Sequence, residues 1–98
     1  MPFEWDGEKN RINQQKHGLA FKSAALVFND PDTVFREDRV VAGEPRSHAI
    51  GMATGAVLLI VRAYRMETEH DHEEIIRIFP AREANKRERR IYIQQAGE

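Results

Sequence analysis

Residues 75–93 read IIRIFPAREANKRERRIYI. An apolar run of Ile75, Ile76, Ile78 and Phe79 stops at Pro80 and passes into helix formers dense in Arg and Lys. On a helical wheel Arg82, Lys86 and Arg89 share one face, at spacings of four and three. Ala81, Ala84, Ile91 and Tyr92 fall roughly opposite, the side that packs on the body of the protein. Glu88 lies among them. A carboxylate on a packing face needs a cation or hydrogen-bond donors, because burying it alone costs several kcal/mol. The stretch thus predicts a strand, a helix after Pro80 with a cationic outer stripe, and an anchored glutamate.

Working outward, Phe3-Glu4-Trp5 alternates like a short strand. Asp6 is a helix N-cap candidate, and the polar helix it opens runs to about Lys16 and stops at Gly18. Phe21, Ala24, Ala25 and Phe28 give a second short helix, closed by the turn residues Asn29-Asp30-Pro31-Asp32. Strands follow from Thr33, from Ser47 to Ala53, and from Ala56 to Tyr64. Ala42-Gly43-Glu44-Pro45 breaks the first from the second, and the apolar third suits a central position. The acidic residues 67–73 read as a hairpin loop before the strand at 75–79. The order is β-α-α-β-β-β-β-α, an α+β domain built on a mainly antiparallel four-stranded sheet. Two N-terminal helices and one C-terminal helix flank it.

The 98 residues fit one domain, spanning 1–98, with 41% apolar and 32% charged residues. Without cysteine there is no disulfide and no thiolate metal site. The longest apolar run, 56–61, is far too short to span a bilayer. The start MPFEWDGEKN lacks the basic and apolar regions of a signal peptide, so a soluble cytoplasmic protein is expected. The net charge of −1 conceals an asymmetry. Residues 66–74 carry five acids and no Lys or Arg, whereas 82–90 carry five basic residues and two acids. Such a basic segment is either a salt-bridged, solvated helix face or the footprint of a nucleic-acid or acidic-protein partner.

Four groups of residues offer chemistry. Lys9, Asn13, Lys16 and His17 share one polar helix face, and two lysines with a histidine suit phosphate binding and proton transfer. Arg46 and His48 stand two apart at a strand start and so point to one side of the sheet. Arg62 and Arg77 sit on interior strands, where Glu88 is the obvious partner for one of them. His70-Asp71-His72 resembles a metal site only superficially, since adjacent positions at a loop tip rarely converge on one ion. With no Gly-rich phosphate loop, nucleophile elbow or zinc signature, neither a metal nor a cofactor is expected.

Two ordered motifs go beyond composition. FEWDGEKNRINQQKHGLAF resembles the opening signature of the BrnT family, in which Trp-Asp precedes a Lys, an Asn and a Lys-His-Gly. IIRIFPAREANKRERRIYI resembles its closing signature, with Pro80 where Ser is usual and Ile93 where an acidic residue is common. The likeness spans nearly the whole chain, the middle included through Arg46 and Ile50-Gly51. It implies a RelE-like fold and a ribonuclease toxin that blocks translation, the toxin half of a type II toxin–antitoxin pair. The implied partner is a BrnA-like ribbon-helix-helix antitoxin, with operator DNA contacted only through the complex. The resemblance carries Lys9, Asn13, Lys16, His17, Arg82, Glu88 and Tyr92 as family positions.

Cutting RNA without a metal needs a base, an acid and cations for the phosphorane. The expected catalytic set is His17, Arg46, His48 and Arg82. Lys9, Lys16, Lys86 and Arg89 would bind substrate, and Glu88 and Tyr92 would orient structure. The alternative is a non-catalytic module whose basic helix holds an acidic partner, or nucleic acid as part of a repressor.

Overall fold

A computed structural model describes residues 3–66 and 74–96. The expected hairpin loop at 67–73, and with it His70-Asp71-His72, lies outside the described residues. Five strands form one mixed sheet: β1 (Phe3–Glu4), β2 (Val34–Val41), β3 (Glu44–Ala53), β4 (Ala56–Met66) and β5 (Glu74–Glu83). Their spatial order is β1-β5-β4-β3-β2. β2 to β5 are an antiparallel meander, while β1 lies parallel to β5 through the pairs Phe3–Ile76 and Glu4–Arg77. The four-stranded sheet expected from the sequence is therefore corrected to five. Phe3-Glu4 alone is too short to declare a partner, and it is held in place by β5.

The helices are α1 (Gly7–His17), the four-residue α2 (Phe21–Ala24), which continues as a 3₁₀ turn over Ala25–Asn29, and α3 (Lys86–Ala96). Asp6 caps α1 by accepting from Glu8 N–H at 2.8 Å and Lys9 N–H at 3.1 Å. Gly18 closes it at φ 65° with its N–H on Gln14 O. Both tight hairpins use a left-handed pair, Ala42-Gly43 and Thr54-Gly55, as the twist of the strands demands.

The main correction concerns residues 80–85. The strand does not stop at Pro80 but runs on to Glu83, so Arg82 is a strand residue, paired with Leu59, and not on the helix. Pro80 is tolerated because β1 covers β5 only at Ile76 and Arg77, leaving the outer edge free of a strand ladder further on. The β4–β5 register also shifts between Ile60 and Arg62, so that Ile78 to Ala81 spans one residue more than its partner. α1 closes this edge: the Asn13 side chain accepts from Ala81 N–H at 3.2 Å and donates to Leu19 O at 2.8 Å. The helix begins after Asn85, whose Oδ1 accepts from Glu88 N–H while Glu88 Oε1 accepts from Asn85 N–H, at 2.9 and 2.8 Å. This reciprocal capping box, legible as Asn-x-x-Glu, fixes where α3 starts.

Each sheet face has its own apolar layer. On one face Phe21, Ala24 and Val27 pack on Ala49, Leu58, Ile60, Ile76, Ile78 and Ala81. Close approach there needs Gly51, where a Cβ would lie 2.7 Å from Val27 Cγ1. On the other face α3 lays Tyr92 and Ile91 over Ile50 and Leu59. Burial of each large apolar side chain contributes roughly 1.5–3 kcal/mol. Among the described residues no helix is long and apolar enough to cross a membrane.

Candidate active site

α3 covers only part of its face of the sheet. Register places Arg36 opposite His48 and His48 opposite Val61, in the row beside the Ile50–Leu59–Arg82 row on which α3 rests. His48 therefore lies at the foot of the helix, in a depression shared with Arg36, Arg87 and Glu88. Arg46 follows two residues before His48 on the same face. Its guanidinium carbon sits 3.8 Å from the centre of the Phe79 ring, in a stacked arrangement. Arg46 Nε is buried with no hydrogen-bond acceptor among the described residues. Stacking holds the plane of this cation without engaging all its donors.

Arg82 approaches from β5. Its Nη1 and Nη2 donate to the two carboxylate oxygens of Glu88 at 2.7 and 2.9 Å, and Nη1 also reaches Glu83 O at 3.1 Å. This forked pairing makes orientation rigid. The Arg82 guanidinium holds Glu88 below the usual carboxylate range, against the opposing effect of burial. The Asn85 N–H and the charge of His48 act in the same direction. Arg82 is in turn held more firmly protonated by Glu88. Glu88 is thus a fixed anion that positions Arg82 and caps α3.

Glu88 does not pair with Arg62 or Arg77, contrary to the sequence expectation. Arg62 is 4% exposed and lies on the opposite face, its guanidinium 4.4 Å from the Phe35 ring centre. Arg77 approaches Glu4 of β1 at 3.9 Å. The physical reason is the strand assignment of Arg82, which brings it opposite Leu59 and under the first turn of α3.

Tyr92 anchors the other end of the helix. Its hydroxyl donates to Asp30 Oδ2 at 2.7 Å, and the same oxygen accepts from Met52 N–H at 2.8 Å. The hydrogen bond to Asp30, with burial, pushes the Tyr92 hydroxyl up to about 12. Burial disfavours the ionised Asp30, but the Tyr92 hydroxyl and the N–H groups of Met52 and Asp32 outweigh it and lower its pKa.

Sequence reasoning missed Asp38, whose Oδ2 lies 3.2 Å from His48 Nε2. It also missed Arg87, which lines the depression from α3 in place of Lys86. Alternation puts Asp38 on the face of Arg36, but its meeting with His48 depends on the pairing of β2 with β3, which the sequence does not show.

The structure brings Arg46, His48 and Arg82 to one face but leaves His17 elsewhere. His17, Lys16 and Lys9 line a second depression with Ile12 and Pro80 at the α1–β5 edge. Lys9 Nζ is 5.8 Å from the Phe79 ring centre, so the start of α1 adjoins the Arg46 stack. His17 stands eight residues further on, about 12 Å along the helix axis. Lys86 is exposed on α3, and Arg89 Nη1 donates to Ala84 O at 2.7 Å. Among the described residues no cluster of His, Asp and Glu is arranged to hold a metal.

No curated protein sequence matches the chain. A family model does, over residues 5–88: that of the ribonuclease toxin BrnT of type II toxin–antitoxin systems. The match takes in α1, the meander β2 to β5 and the first turn of α3 with Glu88, and so contains every residue of both depressions except Ile91. The chain belongs to the BrnT family of ribonuclease toxins.

Proposed function

We propose that this toxin is a metal-independent endoribonuclease whose catalytic centre is the uncovered sheet face around His48, Arg46 and Arg82. One observation carries the reading: an imidazole and two immobilised guanidinium groups share one sheet face, the face on which α3 rests. His48 takes the proton of a ribose 2′-hydroxyl, whose oxygen attacks the adjacent phosphorus. The bond to the 5′-oxygen breaks, that oxygen takes a proton from water, His48 returns its proton to solvent, and a 2′,3′-cyclic phosphate is left. Arg46, fixed on Phe79, and Arg82, fixed on Glu88, stabilise the charge that builds on the phosphorane. Fixed cations serve this purpose better than solvated ones, because no reorganisation is needed at the moment of reaction.

Lys9, Lys16 and His17 extend the cationic path along α1 and hold flanking phosphates, with Lys86, Arg87 and Arg89 doing so from α3. Glu88 and Tyr92 are positioning residues, one at each end of that helix. The family resemblance supports a cytoplasmic toxin that blocks translation and a ribbon-helix-helix antitoxin that neutralises it and brings operator DNA to the complex.

The test is cleavage of a short RNA by the purified full chain in excess chelator. The expected result is cyclic-phosphate product from RNA, none from its 2′-deoxy counterpart, and no loss on chelation. Cleavage that vanishes with chelator, or that persists in His48→Asn and Arg46→Ala, would overturn the reading.

A further inference from the structure

We infer that Asp38 is the positioning residue for His48, fixing which ring nitrogen meets the substrate. This rests on the proposed role of His48 and deepens it. Along β2 and β3 the pairs run Arg36–His48 and Glu37–Ser47, then resume at Val40–Pro45. Asp38 and Arg39 together therefore fill the place opposite a single residue, Arg46. Such a bulge twists a strand locally and re-aims a side chain, and bulges recur beside active sites. Asp38, two residues on from Arg36 and so on the same side of the pleat, stands where this bulge begins, with Oδ2 3.2 Å from Nε2 of the imidazole.

The surroundings leave Asp38 as the carboxylate for this task. Glu88 is held by the Arg82 fork and by Asn85 N–H. Glu37 also borders the depression, but it stands in register with Ser47, one residue off the Arg36–His48 pair, and the ion pair of the imidazole is with Asp38. The remaining charged neighbours, Arg36 opposite and Arg87 and Arg82 at the helix foot, are cations with no acceptor for an imidazole N–H. With the Asp38 anion 3.2 Å from Nε2, the tautomer that carries hydrogen on that nitrogen is favoured, and neutral His48 keeps its lone pair on Nδ1. Nδ1 is then the nitrogen that takes the 2′-hydroxyl proton. The imidazolium so formed is stabilised through Nε2–H by the Asp38 anion. The same logic explains why an aspartate-to-asparagine change cripples a serine protease triad: the amide favours the wrong tautomer.

The experiment compares the full-length wild type with Asp38→Asn, Asp38→Glu and His48→Asn. Steady-state RNA cleavage is measured alongside nitrogen–proton correlation spectra of the His48 ring. Asp38 is exposed, so its variants are expected to keep the wild-type melting temperature. The expected result is a roughly 10²-fold fall in kcat for Asp38→Asn with little change in KM, and partial recovery in Asp38→Glu. The ring signal should move from the Nε2–H to the Nδ1–H form in Asp38→Asn. A folded Asp38→Asn that keeps wild-type kcat or the wild-type tautomer, while His48→Asn is inactive, overturns the Asp38 inference alone. Full cleavage by His48→Asn overturns the catalytic reading beneath it.

Discussion

The chain carries two clusters of a histidine with cations, and they differ in what holds them. Around His48 each group sits on a strand and is braced by a neighbour: Arg46 by Phe79, Arg82 by Glu88, His48 by Asp38. Around His17 the groups sit on a helix that buries only Asn13, and Lys9, Lys16 and His17 are exposed. In sequence the second cluster is the more conspicuous, being compact and regularly spaced. The proposed centre is the first, because a reaction of this kind rewards preorganisation and a solvated lysine must be ordered at each turnover.

This contrast can be broken by mutation. The largest effect is expected in His48→Asn, with RNA cleavage falling roughly 10²- to 10⁴-fold, against at most a few-fold for His17→Asn. Equal losses at both positions would erase the distinction between the clusters. Next comes Arg46→Lys, which keeps the charge but forfeits the planar stack on Phe79 and should cost kcat more than KM. Glu88→Ala removes the fork and half the capping box. It should lower stability by about 1–3 kcal/mol in urea unfolding, with activity falling further than the residual folded fraction explains.

Titration sharpens the same comparison. The Glu88 pKa is lowered by folding, so its contribution is present above the ordinary carboxylate range and lost as pH falls through the lower folded value. The Tyr92 hydroxyl is raised, which reverses the sense. Its contribution is complete below its ordinary value of about 10 and is lost as pH rises toward about 12. Tyr92→Phe should abolish that alkaline loss in a pH series of thermal melts and cost about 1 kcal/mol near neutrality. The smallest effect is expected in Lys9→Ala with Lys16→Ala. RNA binding should weaken, and its salt dependence should become shallower by about 0.7 for each phosphate no longer neutralised.

Much of the frame is legible in the residues. Asp6 and Gly18 bound the first helix because capping is local chemistry, and the meander follows from strand patterns broken at Gly43 and Gly55. The false stop at Pro80 has an equally local origin. Proline usually ends a strand, but only a strand whose N–H is needed, and that depends on how little of β5 is covered by β1. Asn85-x-x-Glu88 is a local signal for the true helix start, masked by the helix-forming residues that precede it. The contact of Asp38 with His48 is beyond the reach of pattern, since pairing is a property of two strands together. Arg62 is too, because Phe28 and Phe35 reach it from a 3₁₀ turn and an edge strand far away in sequence.

Glu88 binds Arg82 through both oxygens and the Asn85 N–H through one of them. Nucleation of α3 and placement of the Arg82 cation are therefore a single cooperative event in folding. Fraying of that first turn releases the arginine at the same instant, so amide exchange at Asn85 and Glu88 becomes a clock for how often Arg82 comes loose. A ligand that stabilises the frayed turn would unseat Arg82 without touching it.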